Sequence, residues 1–82
     1  MITVKFFGLL RLKVDKKAIA LEGKTIDELL KNINIEYPDI SIFQLKNSQI
    51  FVNGENIVNN KLFKTKLHDN DEVHILSAAA GG

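Results

Sequence analysis

Val73-His74-Ile75-Leu76-Ser77-Ala78-Ala79-Ala80-Gly81-Gly82 starts as an apolar, strand-forming run and then sheds its side chains step by step, down to a double glycine. Glycine has a background frequency of about 7%, so a pair at one given place arises by chance in about 0.5% of chains. Such a pair calls for a reason beyond ordinary fraying. Three alanines leading into Gly81-Gly82 make a thin finger whose one reactive group is the α-carboxylate of Gly82. With a reference pKa of about 3.5 that group is ionised at neutral pH, and it is a poor electrophile until activated. Adenylation by a partner enzyme makes such a carboxylate an acyl donor, splitting one hard step into easier ones. Glycine suits the finger because, lacking a Cβ, it enters a narrow channel and takes any backbone angle. The run before it predicts a last strand, Val73 to Ser77. The chain therefore divides into a folded domain, residues 1–77, and a flexible tail, residues 78–82.

The bulk of the chain has to supply a holder for that tail. Eighty-two residues make one domain, and a chain of this size buries about 60–65% of its extended surface. A hydrophobic content of 45% describes a folded domain. No apolar run nears the roughly 20 residues of a membrane span, and no basic-then-apolar leader is present, so no membrane partner and a cytoplasmic location are expected. The absence of cysteine excludes disulfides, thiolate metal sites and a cysteine nucleophile. A net charge of +1 with scattered lysines predicts no nucleic-acid partner.

Upstream, Ile2-Thr3-Val4-Lys5-Phe6-Phe7 alternates as a strand with Ile2, Val4 and Phe6 inward, and Gly8 ends or bends it. Residues 9–14 read as an irregular connection and Asp15-Lys16-Lys17 as a turn. Lys17 to Glu22 resumes alternation, with Ile19 and Leu21 inward, and pairs antiparallel with the first strand. Thr25 and Glu28 then form a capping box. Ile26, Leu29, Leu30 and Ile33 follow on one helical face, and Pro38 closes the helix, placed at about 25–36. Residues 38–48 read as a connecting segment, with Ile40, Ile42, Phe43 and Leu45 tucked in as secondary core. Ile50 to Glu55 is a strand running into the Asn53-Gly54 hairpin turn, with Ile57 and Val58 as a short partner strand. Asn59-Asn60 and the lysine-rich 61–66 read as an exposed loop. Leu67 to Val73 is a tight turn in which Asn70 takes a left-handed conformation.

A hairpin, a helix, two shorter strands and a final strand predict an α+β fold, a mixed sheet of about five strands with one main helix on one face. With the last strand parallel to the first in the sheet centre, this is the β-grasp arrangement. Alternation puts Phe7, Phe51 and Leu76 on the face away from the helix, as a candidate partner surface; the alternative is that residues 38–48 cover some of them.

Three sets of residues together, Val52-Asn53-Gly54-Glu55, Leu67 with Asp69-Asn70-Asp71-Glu72-Val73, and Ala80-Gly81-Gly82, resemble the ubiquitin-like sulfur carriers. These are the small subunit of molybdopterin synthase and the sulfur carrier of thiamine thiazole synthesis. Val4-Lys5-Phe6-Phe7-Gly8-Leu9-Leu10-Arg11 is similar to the first strand of the molybdopterin member. The resemblance spans essentially the whole chain. The length and the 38–48 segment favour the molybdopterin member. Asn70 stands where the family often has glycine, and Ser77 to Ala80 lacks the proline often found there.

The resemblance implies a ubiquitin-like β-grasp and a function. An adenylating enzyme related to the ubiquitin E1 proteins uses ATP to adenylate the carboxylate of Gly82, and a sulfur donor displaces AMP to leave a thiocarboxylate. The tail, with Gly81 and Ala80 giving clearance, then enters the large subunit of molybdopterin synthase, where the sulfur passes to a pterin precursor of the molybdenum or tungsten cofactor. The chain itself is then a non-catalytic, sulfur-donating subunit with no bound cofactor and no metal. The alternatives are a carrier for thiazole synthesis or another thiocarboxylate acceptor, a ubiquitin-like modifier joined to lysines through Gly82, and a plain interaction module. His68 and His74 lack metal-ligand spacing. Gly23-Lys24-Thr25 lacks the earlier glycine of a phosphate loop. The pairs Asp69/Asp71 and Asp27/Glu28 belong to a turn and a helix start.

Overall fold

The computed structural model describes residues 1–77. Five strands form one sheet: β1 (Ile2–Phe7), β2 (Ile19–Leu21), β3 (Gln49–Val52), β4 (Glu55–Asn56) and β5 (Glu72–Leu76), in the order β2-β1-β5-β3-β4. Their sequences alternate as a half-buried sheet requires. Ile2, Val4 and Phe6 of β1 and Val73 and Ile75 of β5 are buried, while the residues between them point to the other face. β1 pairs antiparallel with β2 and parallel with β5, from Thr3 opposite Glu72 to Phe7 opposite Leu76. β5 also pairs antiparallel with β3. The last strand is therefore bonded on both sides.

Helix α1 (Ile26–Glu36) covers the inward face with Ile26, Leu29, Leu30 and Ile33, all fully buried. Thr25 is its N-cap, and its hydroxyl accepts from the Glu28 N–H at 3.2 Å. Only this half of the expected capping box forms at α1. The reciprocal box belongs to a second helix, α2 (Ile42–Lys46), where the Ser41 hydroxyl accepts from the Gln44 N–H and the Gln44 side chain accepts from the Ser41 N–H. The segment expected as a plain connection thus holds a short helix packed beside α1. Ile40 and Leu45 enter the core and Ile42 packs at its margin, but Phe43, 76% exposed, does not. On a five-residue helix one side must face solvent, and Phe43 falls there.

Two further expectations are corrected. The partner of β3 is Glu55–Asn56 and not Ile57-Val58, because Asn53 (φ 50°) and Gly54 (φ 88°) complete the turn in two residues. The Asn56 side chain then accepts from the Val58 N–H, winding Ile57–Asn59 into a 3-10 turn. Residues 61–66 are also not simply exposed. Thr65 is buried, its C=O accepts from the Ile26 N–H at 3.0 Å, and the Leu67 N–H donates to the Lys24 C=O at 2.9 Å. This segment ties down the start of α1.

Asn70 sits at φ 71°, as its place in the tight turn demands. Beside it, Asp71 accepts from the His68 N–H at 2.8 Å and from the Asn53 side chain at 2.9 Å. The Asn53 side chain in turn accepts from the Glu72 N–H at 2.9 Å, locking the β3–β4 turn to the start of β5. The hydrogen bond from His68 foremost, with that from Asn53, holds the Asp71 carboxyl below its ordinary value. A carboxyl depressed in the folded state stabilises above its unfolded pKa, and that stability is lost as pH falls through the folded value. Asp71→Asn should therefore flatten the loss of stability below about pH 4, measured by urea unfolding at stepped pH; an unchanged acid limb would count against this role.

Candidate functional site

The chain leaves the sheet at Ser77, and the structure fixes that point closely. The Ser77 N–H donates to the Phe7 C=O at 3.2 Å. Its hydroxyl accepts from the Leu9 N–H at 2.7 Å and donates to the Phe7 C=O at 3.3 Å. Gly8 makes this possible. It lies at φ +72°, and a Cβ there would come within 2.4 Å of the Ser77 Oγ. The Gly8–Ser77 junction was not foreseen as a unit. Its only sequence signals are a glycine ending the first strand and a hydroxyl residue ahead of the alanine run. The expected reactive residue Gly82, with Gly81 and Ala80, lies outside the described residues.

Phe7, Phe51 and Leu76 share the face opposite α1, as alternation required. Phe7 is 42% and Leu76 39% exposed, and the two are register partners. Phe51 is half-buried and stands opposite His74. Phe7 and His74 lie 5.1 Å apart between ring centroids, tilted by 54°. Both helices pack on the other side, so residues 38–48 do not cover these three.

Below the apolar end the same face turns polar. His74 Nε2 is 2.5 Å from a Glu72 carboxylate oxygen, and Lys5 Nζ is 3.4 Å from the other. The contact with His74 foremost, and then Lys5, holds the Glu72 carboxyl below its ordinary value. His74 is thus accounted for as a partner of Glu72. Among the described residues no group of histidine, cysteine or carboxylate side chains could hold a metal ion, and no helix is long and apolar enough to cross a membrane. What the described site offers chemically is an anchored exit point beside an apolar patch.

The sheet order, the single long helix across it and the central parallel pair define a ubiquitin-like β-grasp protein. The profile of the ThiS family matches residues 4–82, and the chain belongs to that family of ubiquitin-like sulfur carriers. Among solved structures it is similar to small archaeal modifier protein 1 from Methanosarcina acetivorans, at 26% identity over 99% of this chain and 95% of that one, with a TM-score of 0.88. It is also similar to a chain of the complex of subunits 1 and 2 of the molybdopterin-converting factor from Helicobacter pylori, at 25% identity over 99% and 97%, with a TM-score of 0.66. The fold is shared with the BexX/CysO complex of Amycolatopsis orientalis, at 22% identity over the full length of both chains, with a TM-score of 0.85. Among curated proteins no match is found.

Gly8→Ala should cost about 1–3 kcal/mol, since it forces a side chain into left-handed backbone. It should also speed hydrogen exchange of the Leu9 amide by breaking the bond to Ser77. Urea unfolding and amide exchange would check both, and a variant as stable as the parent would contradict the junction.

Proposed function

We propose that the chain is a sulfur carrier acting as the small subunit of molybdopterin synthase, with the α-carboxylate of Gly82 as its reactive group. The observation that carries this reading is the family match running through residue 82 on a domain whose central strand is pinned at Ser77, five residues earlier. Five residues of extended chain span at most about 17 Å, enough to enter a channel in a partner while the domain stays outside.

The chemistry asked of this chain is small. An E1-like adenylating enzyme binds the domain and directs a carboxylate oxygen of Gly82 at the α-phosphorus of ATP, and pyrophosphate leaves. A sulfur donor then attacks the acyl carbon and AMP leaves, so the sulfur rides on the chain end as a thiocarboxylate. In the large subunit of molybdopterin synthase that sulfur passes to the pterin precursor. Gly81 and Ala80 supply clearance, and no cofactor is bound by this chain. Phe7, Phe51 and Leu76 form the docking patch for both partners. The likeness to a chain of the Helicobacter pylori molybdopterin-converting factor complex supports this choice of acceptor.

The likeness to the archaeal modifier supports a second reading, in which the same activated carboxylate is joined to lysine amines of other proteins. The acceptor decides between them. Incubated with the adenylating enzyme, ATP, sulfide and the large subunit, the chain should convert a pterin precursor to the dithiolene product, and a form extended by one residue beyond Gly82 should not. Laddered lysine adducts without dithiolene product would favour the modifier. Phe7→Asp and Leu76→Asp should each weaken binding to the large subunit at least tenfold, as an apolar contact near the centre of an interface does; calorimetry showing unchanged affinity would remove the patch from the account.

A further inference from the structure

The sheet has a gap. β2 pairs with β1 only at Ile2, Thr3 and Val4, although β1 runs on to Phe7. The hydrogen bonds from the Thr3 N–H to the Asp71 C=O and from the Ser77 N–H to the Phe7 C=O show that Thr3, Lys5 and Phe7 turn their main-chain groups toward β5. By the alternation of a strand, Ile2, Val4 and Phe6 turn theirs toward β2. Ile2 and Val4 find partners there in Leu21 and Ile19. Continuing that register, Phe6 would face Lys17, but Lys17 lies in a bend, and among the described residues no loop hydrogen bond reaches the N–H or C=O of Phe6. A buried residue with both main-chain groups unpaired is a rarity.

Phe6 lines a groove of about 480 Å³ together with Lys5, Phe7, Arg11, Leu12, Lys17 and His74. No carboxylate lines it, so the rim is cationic apart from what Glu72 offsets at Lys5. Arg11 spends one N–H on the Val14 C=O at 2.5 Å and keeps the rest of its guanidinium. Leu12 stands 83% exposed over the groove, an apolar contact with nothing on it.

We propose that this gap is a docking groove for an extended, acidic segment of a partner protein, which pairs with the main chain of Phe6 and continues the line of β2. An unpaired strand edge is a template for another strand, and β-strand addition draws its affinity from main-chain bonds and its selectivity from alternate side chains. The groove lining combines the cations Lys5, Arg11 and Lys17 with the apolar Phe7 and Leu12, which selects a segment that carries both acidic and apolar residues. The groove adjoins the Phe7–Phe51–Leu76 patch and shares Phe7 with it. It does not depend on what becomes of Gly82.

The test is amide hydrogen exchange and chemical-shift titration of the whole protein with an acetylated, amidated Glu-Val-Glu-Val-Glu peptide, and with its Lys-Val-Lys-Val-Lys counterpart. In the free protein the Phe6 amide should exchange at least tenfold faster than those of Lys5 and Phe7. The acidic peptide should slow it at least tenfold at saturation, with shifts centred on Lys5 to Leu12 and Lys17, and the basic peptide should not. Lys17→Glu, in an exposed bend, should weaken the acidic peptide at least threefold without changing the melting temperature. A Phe6 amide already as protected as its neighbours, an acidic peptide that leaves Phe6 exchange unchanged, or equal binding of both peptides would overturn the proposal.

Discussion

The parallel pairing of β1 with β5 is the constraint on which everything else rests. Parallel strands cannot be joined by a tight turn, so the chain between them must cross over the sheet, and α1 is the crossover that also closes the core. Because β3 takes the other side of β5, the strand that leads out to residues 78–82 is held by main-chain bonds on both sides. Edge strands fray and pair with strangers; a central strand does neither. The hydroxyl of Ser77 and the bare backbone of Gly8 carry that order one residue past the strand.

The same alternation that buries Val4, Phe6, Val73 and Ile75 beneath α1 exposes Lys5, Phe7, His74 and Leu76 on the other side. One face is therefore spent on stability, and the other is left open, divided between an apolar end at the exit point and a charged end at Lys5 and Glu72. β2 stops short on the far side of β1, pairing with it only from Ile2 to Val4.

Most of the frame was legible because its signals are local. The alternation of Ile2 to Phe7, the Thr25 cap with its 26, 29, 30, 33 stripe, the Asn53-Gly54 turn and the left-handed Asn70 each sit within a few residues and fell where expected. Short elements were harder. α2 is too brief to show a helical period, although Ser41 and Gln44 carried a capping pattern that was there to be read. Ile57 and Val58 look like a strand pair until the two-residue turn sets the register and Asn56 caps them into a 3-10 turn. The lysines of 61–66 suggested a solvated loop, but Thr65 is tied to the helix start, far from it in sequence. The Gly8–Ser77 junction joins residues 69 positions apart, and no local pattern could announce it. The open face was foreseen through Phe7, Phe51 and Leu76, while Lys5 and Glu72 emerged only from cross-strand geometry.

In the function proposed above, the whole burden falls on one carboxyl group, that of Gly82. Intact-mass measurement after incubation with the adenylating enzyme, ATP and sulfide addresses that group alone. The account predicts exchange of one oxygen for sulfur, mapped by fragmentation to Gly82. A chain of unchanged mass, under conditions in which the same enzyme loads another carrier, would contradict it.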